Sequence, residues 1–481
     1  MVQLEDCAPE KQALGFVLMP RRVSRAGCLV AHSFGSKSRE DDLRTHELQV
    51  CPRGAERPMG IGQVLTLLTT FTGFLGASVL VVDVGVFSLF PHRVLLIFLS
   101  WVMLIGLLRT RQGMRTWFRG VAGYAEFLLV WLLYALCSIA WSVDPLQGGR
   151  YTVFLLSGIL VCFGTIRYTQ TEKSMVMLYR TWLIGLAVFV IAGIDEQYFQ
   201  VNGGGISSLL GRAEGASELD VFGSPNEYAT LLSLAIPFAL TAARYLRSHL
   251  AKAFWVCVSF GGTVHVIVAS SRANLLALIL QLTVLVTVLT PSVRRVRTAG
   301  VAVGVFLLVL VAVPNVVESC YEKVGQQLES VVVQARLETG SVGVRMNLVR
   351  NGLNFLVGTY GFGVGAGNGE VWMGSRAVYD TQGILSLHNW WLEILVDYGI
   401  WIFAGYMLCY IHILWSLWKE WRVSSTRNDR MISEALVLSM VGFAVASVSS
   451  SSIMALTPQW LLLAFALAFL NRARRKREVA R

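Results

Sequence analysis

Three arginines stand out because each lies beside an apolar stretch of the chain. Arg272 lies in the motif SSRAN between two apolar runs, Arg345 lies near the start of GVRMNLVRNGLNFLVG, and Arg212 is the one base of the loop 195–226. A guanidinium group binds phosphate through two parallel hydrogen bonds. Helix N-terminal amides after Arg272 would add to such an anion site. These residue types favour binding of phosphate or pyrophosphate.

Each arginine also has a simpler interpretation. Arg272 is compatible with a side chain that reaches the membrane surface from a tight turn. Arg345 is compatible with a contact to lipid headgroups, as are Arg336, Arg350 and Arg376. Arg212 is compatible with a salt bridge to one of its acidic neighbours, which are Glu214, Glu218 and Asp220.

One histidine, His388, opens the segment HNWWLEILVDYG. Glu393 and Asp397 are four residues apart and therefore share one face of the helix predicted to follow. A histidine near a carboxylate can keep one tautomer and act as a general base. A lone histidine is more commonly packed or solvated, and the sequence leaves both roles open.

Other motifs point away from nucleotide and metal chemistry. The run GFGVGAGNG at 361–369 is not followed by G-K-[ST], so it predicts a turn that allows close backbone approach and not a phosphate loop. The eight cysteines form no C-x-x-C pair and the seven histidines no H-x-x-x-H pair. We therefore predict no metal site and no cofactor.

The composition is that of a membrane protein. Hydrophobic residues make up 54% of the 481-residue chain and charged residues 15%, against roughly a quarter charged in soluble domains. The net charge of +11 resides in short loops and in the tail Arg472–Arg481. That distribution favours membrane orientation and contact with anionic lipids over nucleic-acid binding, which we exclude.

The hydropathy pattern predicts an all-α polytopic membrane protein with about twelve transmembrane helices. The polar segment 1–58 is expected to be disordered and cytoplasmic. Both Met1 and Met59 stay open as the first residue of the protein. A transmembrane domain covers 59–471, and 472–481 is a basic cytoplasmic tail. The predicted spans are 62–82, 92–108, 123–142, 151–167, 176–194, 227–243, 253–270, 273–290, 298–315, 390–418, 432–449 and 455–471.

Lysine and arginine are concentrated in every second loop, which orients the chain. Because cytoplasmic loops carry the excess of basic residues, both termini are predicted to be cytoplasmic, as an even number of spans requires. The long segment 316–389, between spans 9 and 10, then faces outward. Its apolar residues recur at helical spacing, which predicts amphipathic helices on the bilayer surface. The basic loop residues are Arg109, Arg111, Arg115 and Arg119; Arg167 and Lys173; Arg244, Arg247 and Lys252; Arg294, Arg295 and Arg297; and Lys419, Arg422, Arg427 and Arg430.

Four segments in this order resemble the O-antigen ligase and polymerase superfamily of bacterial surface-glycan assembly. The stretch YDTQGILSLHNWWLEILVDYGI looks most like the teichuronic-acid polymerase branch. The four segments are RAEGASELDVFGSPNEYA (212–229), SSRANLLAL (270–278), VGVRMNLVRNGLNF with GFGVGAGNG (342–369), and HNWWLEILVDYGI (388–400).

The resemblance implies a metal-independent, inverting glycosyltransferase of the cytoplasmic membrane that acts on its external face. Its partners would be a polyprenyl-pyrophosphate-linked glycan, a glycan or lipid acceptor, membrane lipids and other polysaccharide-assembly proteins. Carried over by motif, Arg272 and Arg345 would hold the pyrophosphate, Arg212 would lie near the donor, and His388 would be the base.

Two other classes stay open at this point. A transporter of a small anion or solute would also have many spans, although no internal repeat is evident between the two halves and the unusual polar residues cluster towards one face. A non-catalytic scaffold of a glycan-assembly complex is the third alternative.

Overall fold

The computed structural model describes residues 59–76, 80, 82–84, 87–109, 116–198, 225–296, 300, 340–450, 454 and 457–479. Outside these residues lie the polar segment 1–58, the predicted span 298–315 apart from residue 300, the whole stretch 316–339, and with them Arg212 and Arg336. Pro58–Arg481 form one compact unit.

The described part of the chain is mainly helical. Two short 3-10 helices, Arg119–Val121 and Ile139–Trp141, flank the third helix. The α-helices are α1 Ile61–Leu75, α2 Pro91–Arg109, α3 Ala122–Ser138, α4 Pro145–Tyr168, α5 Glu172–Tyr198, α6 Pro225–Tyr245, α7 His249–Val268, α8 Arg272–Thr287, α9 Gly340–Gly358, α10 Gly369–Arg376, α11 Trp390–Val423, α12 Arg427–Ala446 and α13 Thr457–Val479.

Eleven of the twelve predicted spans overlap helices of the described residues. The remaining one, 298–315, lies outside them apart from residue 300. Among the described residues, six helices are long and apolar enough to cross a membrane. The protein is therefore a multi-pass helical membrane protein, and the count of twelve stays a prediction. The six are α2, α3 with its flanking turns, α4, α5, α7 and α11.

Several helix boundaries differ from the sequence-based expectation, and two of them have a clear local cause. The first helix ends at Leu75 and not near 82, because Gly76 leaves helical geometry with φ 55°. An antiparallel hairpin of β1 Val82–Val84 and β2 Phe87–Leu89 follows it. Helix α4 begins at Pro145, because the Asp144 side chain accepts hydrogen bonds from the amides of Leu146 and Gln147 and proline suits the first helical position.

The core of the bundle is rich in aromatic rings. Trp131 of α3 is fully buried and packs against Trp390, Tyr398 and Tyr406 of α11 and Trp460 of α13. Ring pairs of this kind add roughly 0.5–1.5 kcal/mol each beyond their buried area. They fix α11 against α3 and α13. Because α11 begins two residues after His388, they also help to fix the position of this histidine.

The two ends of the bundle carry different polar groups. At the end where α6 finishes and α12 begins, Arg244 is 2.9 Å from Glu434 and Arg472 is 2.7 Å from Asp429. The opposite end, where α8 and α11 begin, carries serine, asparagine and arginine side chains. The predicted site residues of the described chain all belong to this second end.

Candidate functional site

Arg272 is the first residue of α8 and follows a strained turn. Ser270 has φ 55°, a left-handed conformation that is unusual for a residue with a side chain. Ser271 is extended and its side chain does not cap the helix. Ser271 therefore does not cap the first amides of α8, which lie next to Arg272, and the N-terminal amides of a helix favour a bound anion.

A buried polar network holds this turn in place. Asn274 donates to the Ser271 hydroxyl at 2.9 Å and to the Thr230 hydroxyl at 3.1 Å. The hydroxyls of Ser271 and Ser449 are 2.9 Å apart, and Ser449 donates to Asn226 at 3.0 Å. Because buried polar groups are costly unless hydrogen-bonded, the network ties the starts of α6 and α8 to the segment 447–450.

Arg345 of α9 reaches the same segment. Its Nη1 donates to the backbone oxygen of Val448 at 3.4 Å. Burial lowers the pKa of Arg345, and the positive charge of Arg272 lowers it further. Neither guanidinium forms a salt bridge with any carboxylate of the described residues. Two like charges held together in this way create a place where an anion would be stabilised.

His388 lies near Arg345. Trp390, two residues after His388, donates its amide to the backbone oxygen of Ser447 at 3.0 Å. The start of α11 therefore packs on the segment 447–450, which Arg345 also contacts. Burial lowers the pKa of His388, and the charge of Arg345 lowers it further. The imidazole is thus favoured in its neutral form, which is the form that can accept a proton.

The conformation of His388 is strained, with φ 48°. The residue after it, Asn389, accepts hydrogen bonds from the amides of Trp391 and Leu392 and so caps α11. Strain of this kind persists where the surroundings impose it and is common at functional sites. The Nδ1 atom of His388 is buried and has no hydrogen-bond partner among the described residues.

The expectation that a helix carboxylate orients His388 finds no support in the described residues. Asp397 instead accepts hydrogen bonds from the amides of Gly367 at 2.9 Å and Gly369 at 2.8 Å. Its carboxylate is therefore occupied by the glycine-rich turn, and no described carboxylate hydrogen-bonds the imidazole.

The glycine-rich turn is held firmly against α11. The amides of Val364 and Gly365 donate to the oxygens of Val396 and Asp397, at 2.8 and 3.0 Å. A Cβ at Gly363 would lie 2.6 Å from the Gly399 amide nitrogen, so the two backbones cross in direct contact. The close approach predicted from the sequence is confirmed.

The structure thus brings Arg272, Arg345 and His388 into one region. Two other arginines that the sequence offered as candidates lie outside it. Arg376 stacks 3.9 Å over the Trp372 ring and Arg350 lies 5.6 Å from the Tyr379 ring. Sequence reasoning did not find Asn274, Ser449 or the role of Asp397. The asparagine two residues after Arg272 is the one local signal that could have pointed to the network.

Comparisons with known proteins agree with this geometry. Residues 255–407 match the family model described as O-antigen ligase, a range that holds Arg272, Arg345 and His388. The family match and the relative described next both support the resemblance of this chain to the O-antigen ligase and polymerase superfamily. It is 29% identical over 412 residues to the teichuronic acid biosynthesis protein TuaE of Bacillus subtilis (strain 168), which covers 84% of this chain and 83% of that protein.

The superfamily is a class of glycosyltransferase-type enzymes, so the matched range identifies where chemistry is expected. The match begins within α7 and ends within α11. It therefore includes the strained turn before Arg272, the whole of α9, the glycine-rich turn and the strained His388. The hydrogen-bonded residues Asn226 and Ser449 lie outside it and connect the matched range to the rest of the bundle.

Proposed function

We propose that this protein is a membrane glycosyltransferase that acts on a polyprenyl-pyrophosphate-linked glycan at the external face of the cytoplasmic membrane. The product would be a cell-surface polysaccharide of the teichuronic-acid type, and the transfer step would join repeat units. The observation that carries the proposal is that Arg345, the turn before Arg272 and the start of α11 after His388 all hydrogen-bond the segment 447–450. The charge of Arg272 acts on Arg345, and the charge of Arg345 acts on His388.

The reaction follows from the charges. An acceptor hydroxyl oxygen attacks the anomeric carbon, the bond from that carbon to the pyrophosphate oxygen breaks, and the bonding electrons leave with the pyrophosphate. Attack from the opposite side inverts the configuration. His388 accepts the hydroxyl proton, which a neutral imidazole can do.

The leaving group gains negative charge as the bond breaks. Arg272 and Arg345, together with the uncapped first amides of α8, are placed to stabilise that charge. Preorganised donors of this kind act strongly where water is excluded. In this scheme the two guanidiniums do the work that a divalent cation does in other pyrophosphate-releasing enzymes.

A membrane assay with a lipid-linked oligosaccharide donor tests the proposal. His388→Ala should lower the rate of transfer by about 10²–10⁴-fold, the range for loss of a general base. Arg272→Lys keeps the charge but loses the bidentate geometry, so transfer should fall in this variant as well. Arg376→Lys, whose parent side chain stacks on Trp372, is the matched control and should retain activity. Unchanged polymer yield with His388→Ala would contradict the proposed base.

A further inference from the structure

A long apolar groove runs between α2 and α4 on the outside of the bundle. Its volume is about 610 Å³. The side chains of Trp101 and Ile97 in its wall are 59% and 50% exposed. Apolar side chains that a membrane helix leaves exposed face lipid, so the groove is open to lipid chains. Its apolar wall includes Ile97, Trp101, Leu104, Val153, Phe154 and Leu160.

Two arginines lie at one end of this groove. The Arg93 guanidinium is 4.7 Å from the Phe90 ring centre and 5.3 Å from that of Phe154, and Arg150 lies 5.7 Å from Phe154. The two guanidiniums are close enough to repel each other. Neither forms a salt bridge with a carboxylate in the part of the chain that the structure describes. An anion placed here would relieve the repulsion.

The arginine end of the groove is also the end that carries the candidate site. The Tyr151 side chain hydrogen-bonds Glu370, and the charge of Arg150 acts on the same carboxylate. Glu370 belongs to α10, whose first residue, Gly369, is held by Asp397 of α11. The groove and the Arg272–Arg345–His388 cluster are therefore at the same membrane surface but are built from different helices.

The length of the groove suits one lipid chain. Arg93 and Leu104 both line it and are separated along α2 by roughly 16 Å at 1.5 Å per residue. That is about half of a hydrocarbon core of ~30 Å. A lipid phosphate at Arg93 would therefore place its chain along the groove through one leaflet.

We propose that this groove is a second lipid-phosphate site, which takes the single chain of a polyprenyl phosphate and holds its phosphate with Arg93 and Arg150. The lipid class rests on the proposed function. A polyprenyl phosphate has one chain for each phosphate group, which matches one groove leading from one arginine pair, whereas a membrane phospholipid has two chains. The protein would then hold two lipid phosphates at once, one here and one at Arg272 and Arg345.

The experiment uses the full chain in phosphatidylcholine nanodiscs and a polyprenyl phosphate with a photoreactive group in its chain. After illumination, labelled peptides should come from α2 and α4. The double variant Arg93→Gln/Arg150→Gln should lower this labelling about tenfold, since charge-assisted hydrogen bonds are lost. Ser100→Trp, which fills the groove, should lower it similarly.

Two matched control variants change residues outside the groove. Arg109→Gln alters an exposed arginine at the other end of α2, and Thr283→Trp adds a ring to an exposed position of α8; both should label as the unaltered protein does. Labelling that survives both the double variant and Ser100→Trp would overturn the proposal. Equal displacement of the probe by phosphatidylglycerol would also overturn it, because the groove would then be a general site for anionic phospholipid.

The outcomes separate this inference from the proposed function. Arg345→Gln should strongly lower the rate of transfer but leave groove labelling intact. If transfer depends on His388 and Arg345 while the groove is not labelled, the groove inference alone fails. If the groove is labelled but variants of Arg272, Arg345 and His388 all transfer glycan normally, the proposed function fails instead.

Discussion

The imidazole of His388 is half-buried and lies near the Arg345 guanidinium, and both conditions disfavour its protonated form. Burial is the larger cause and the charge of Arg345 the smaller. A base of this kind differs from one paired with a carboxylate, because a carboxylate would raise the pKa of the imidazole. Here the same arginine that is proposed to bind the donor also keeps the base unprotonated.

This pairing predicts an unusual dependence of transfer on pH. Because the lowered pKa keeps His388 neutral, activity should persist as the pH falls below about 6.5, the ordinary value for histidine, and should decline only below the lowered pKa. Arg345→Gln removes the repulsion, so the acid limb of its residual activity should move to higher pH. The measurement is kcat/KM for the lipid-linked donor against pH, which reports groups of the free enzyme.

Charge and not shape should control this shift. Arg345→Lys retains a positive charge and should keep the acid limb near that of the unaltered protein, even if its rate is lower. Arg376→Gln, outside the cluster, should change neither rate nor limb. An acid limb at or above the ordinary histidine value in the unaltered protein would contradict the assigned environment of His388.

At the scale of elements, the backbone crossing between the glycine-rich turn and α11 positions the site. Gly399 interrupts α11 with φ 77°, and the Ile400 amide donates to the Gly361 oxygen at 2.9 Å. The turn runs into α10 on one side, and α11 begins beside His388. This crossing therefore helps to fix the position of His388 relative to Arg345 of α9.

A side chain at this crossing should be strongly destabilising. A Cβ at Gly399 would lie 2.3 Å from the Gly361 oxygen, and the left-handed backbone adds strain to any other residue. Gly399→Ala should therefore lower the free energy of unfolding by about 2 kcal/mol or more. Thermal unfolding in detergent measures the effect. Gly123→Ala, where a Cβ meets nothing within 4 Å, is the matched control, and equal stability of the two variants would contradict the close crossing.

At the scale of the whole molecule, some features follow from the sequence and others do not. Helix positions such as α2 and α7 were predictable because a run of about 20 apolar residues has few other stable structures in a bilayer. The proximity of Arg272, Arg345 and His388 was predictable only through family resemblance, since no local pattern encodes contacts between residues this far apart in the sequence.

The features that the sequence does not reveal have a common physical origin. Asp397 and Glu393 share a helix face, but their spacing does not say which hydrogen-bond donors meet that face. The amides of Gly367 and Gly369 are those donors for Asp397. Likewise, the network around Asn274 links α6, α8 and the segment 447–450, and its members are ordinary serines, threonines and asparagines until the fold brings them together.

The orientation of the whole molecule is the remaining prediction, and it depends on positions at opposite ends of the bundle. Tyr360, 92% exposed beside the glycine-rich turn, should face outward; Val293, 96% exposed after α8, should face the cytoplasm. In a variant whose eight cysteines are replaced by serine, Tyr360→Cys should react with a membrane-impermeant maleimide in right-side-out vesicles. Val293→Cys should react only after the vesicles are permeabilised. The reverse pattern would place Arg272, Arg345 and His388 on the cytoplasmic side, where glycan transfer at the external face is impossible.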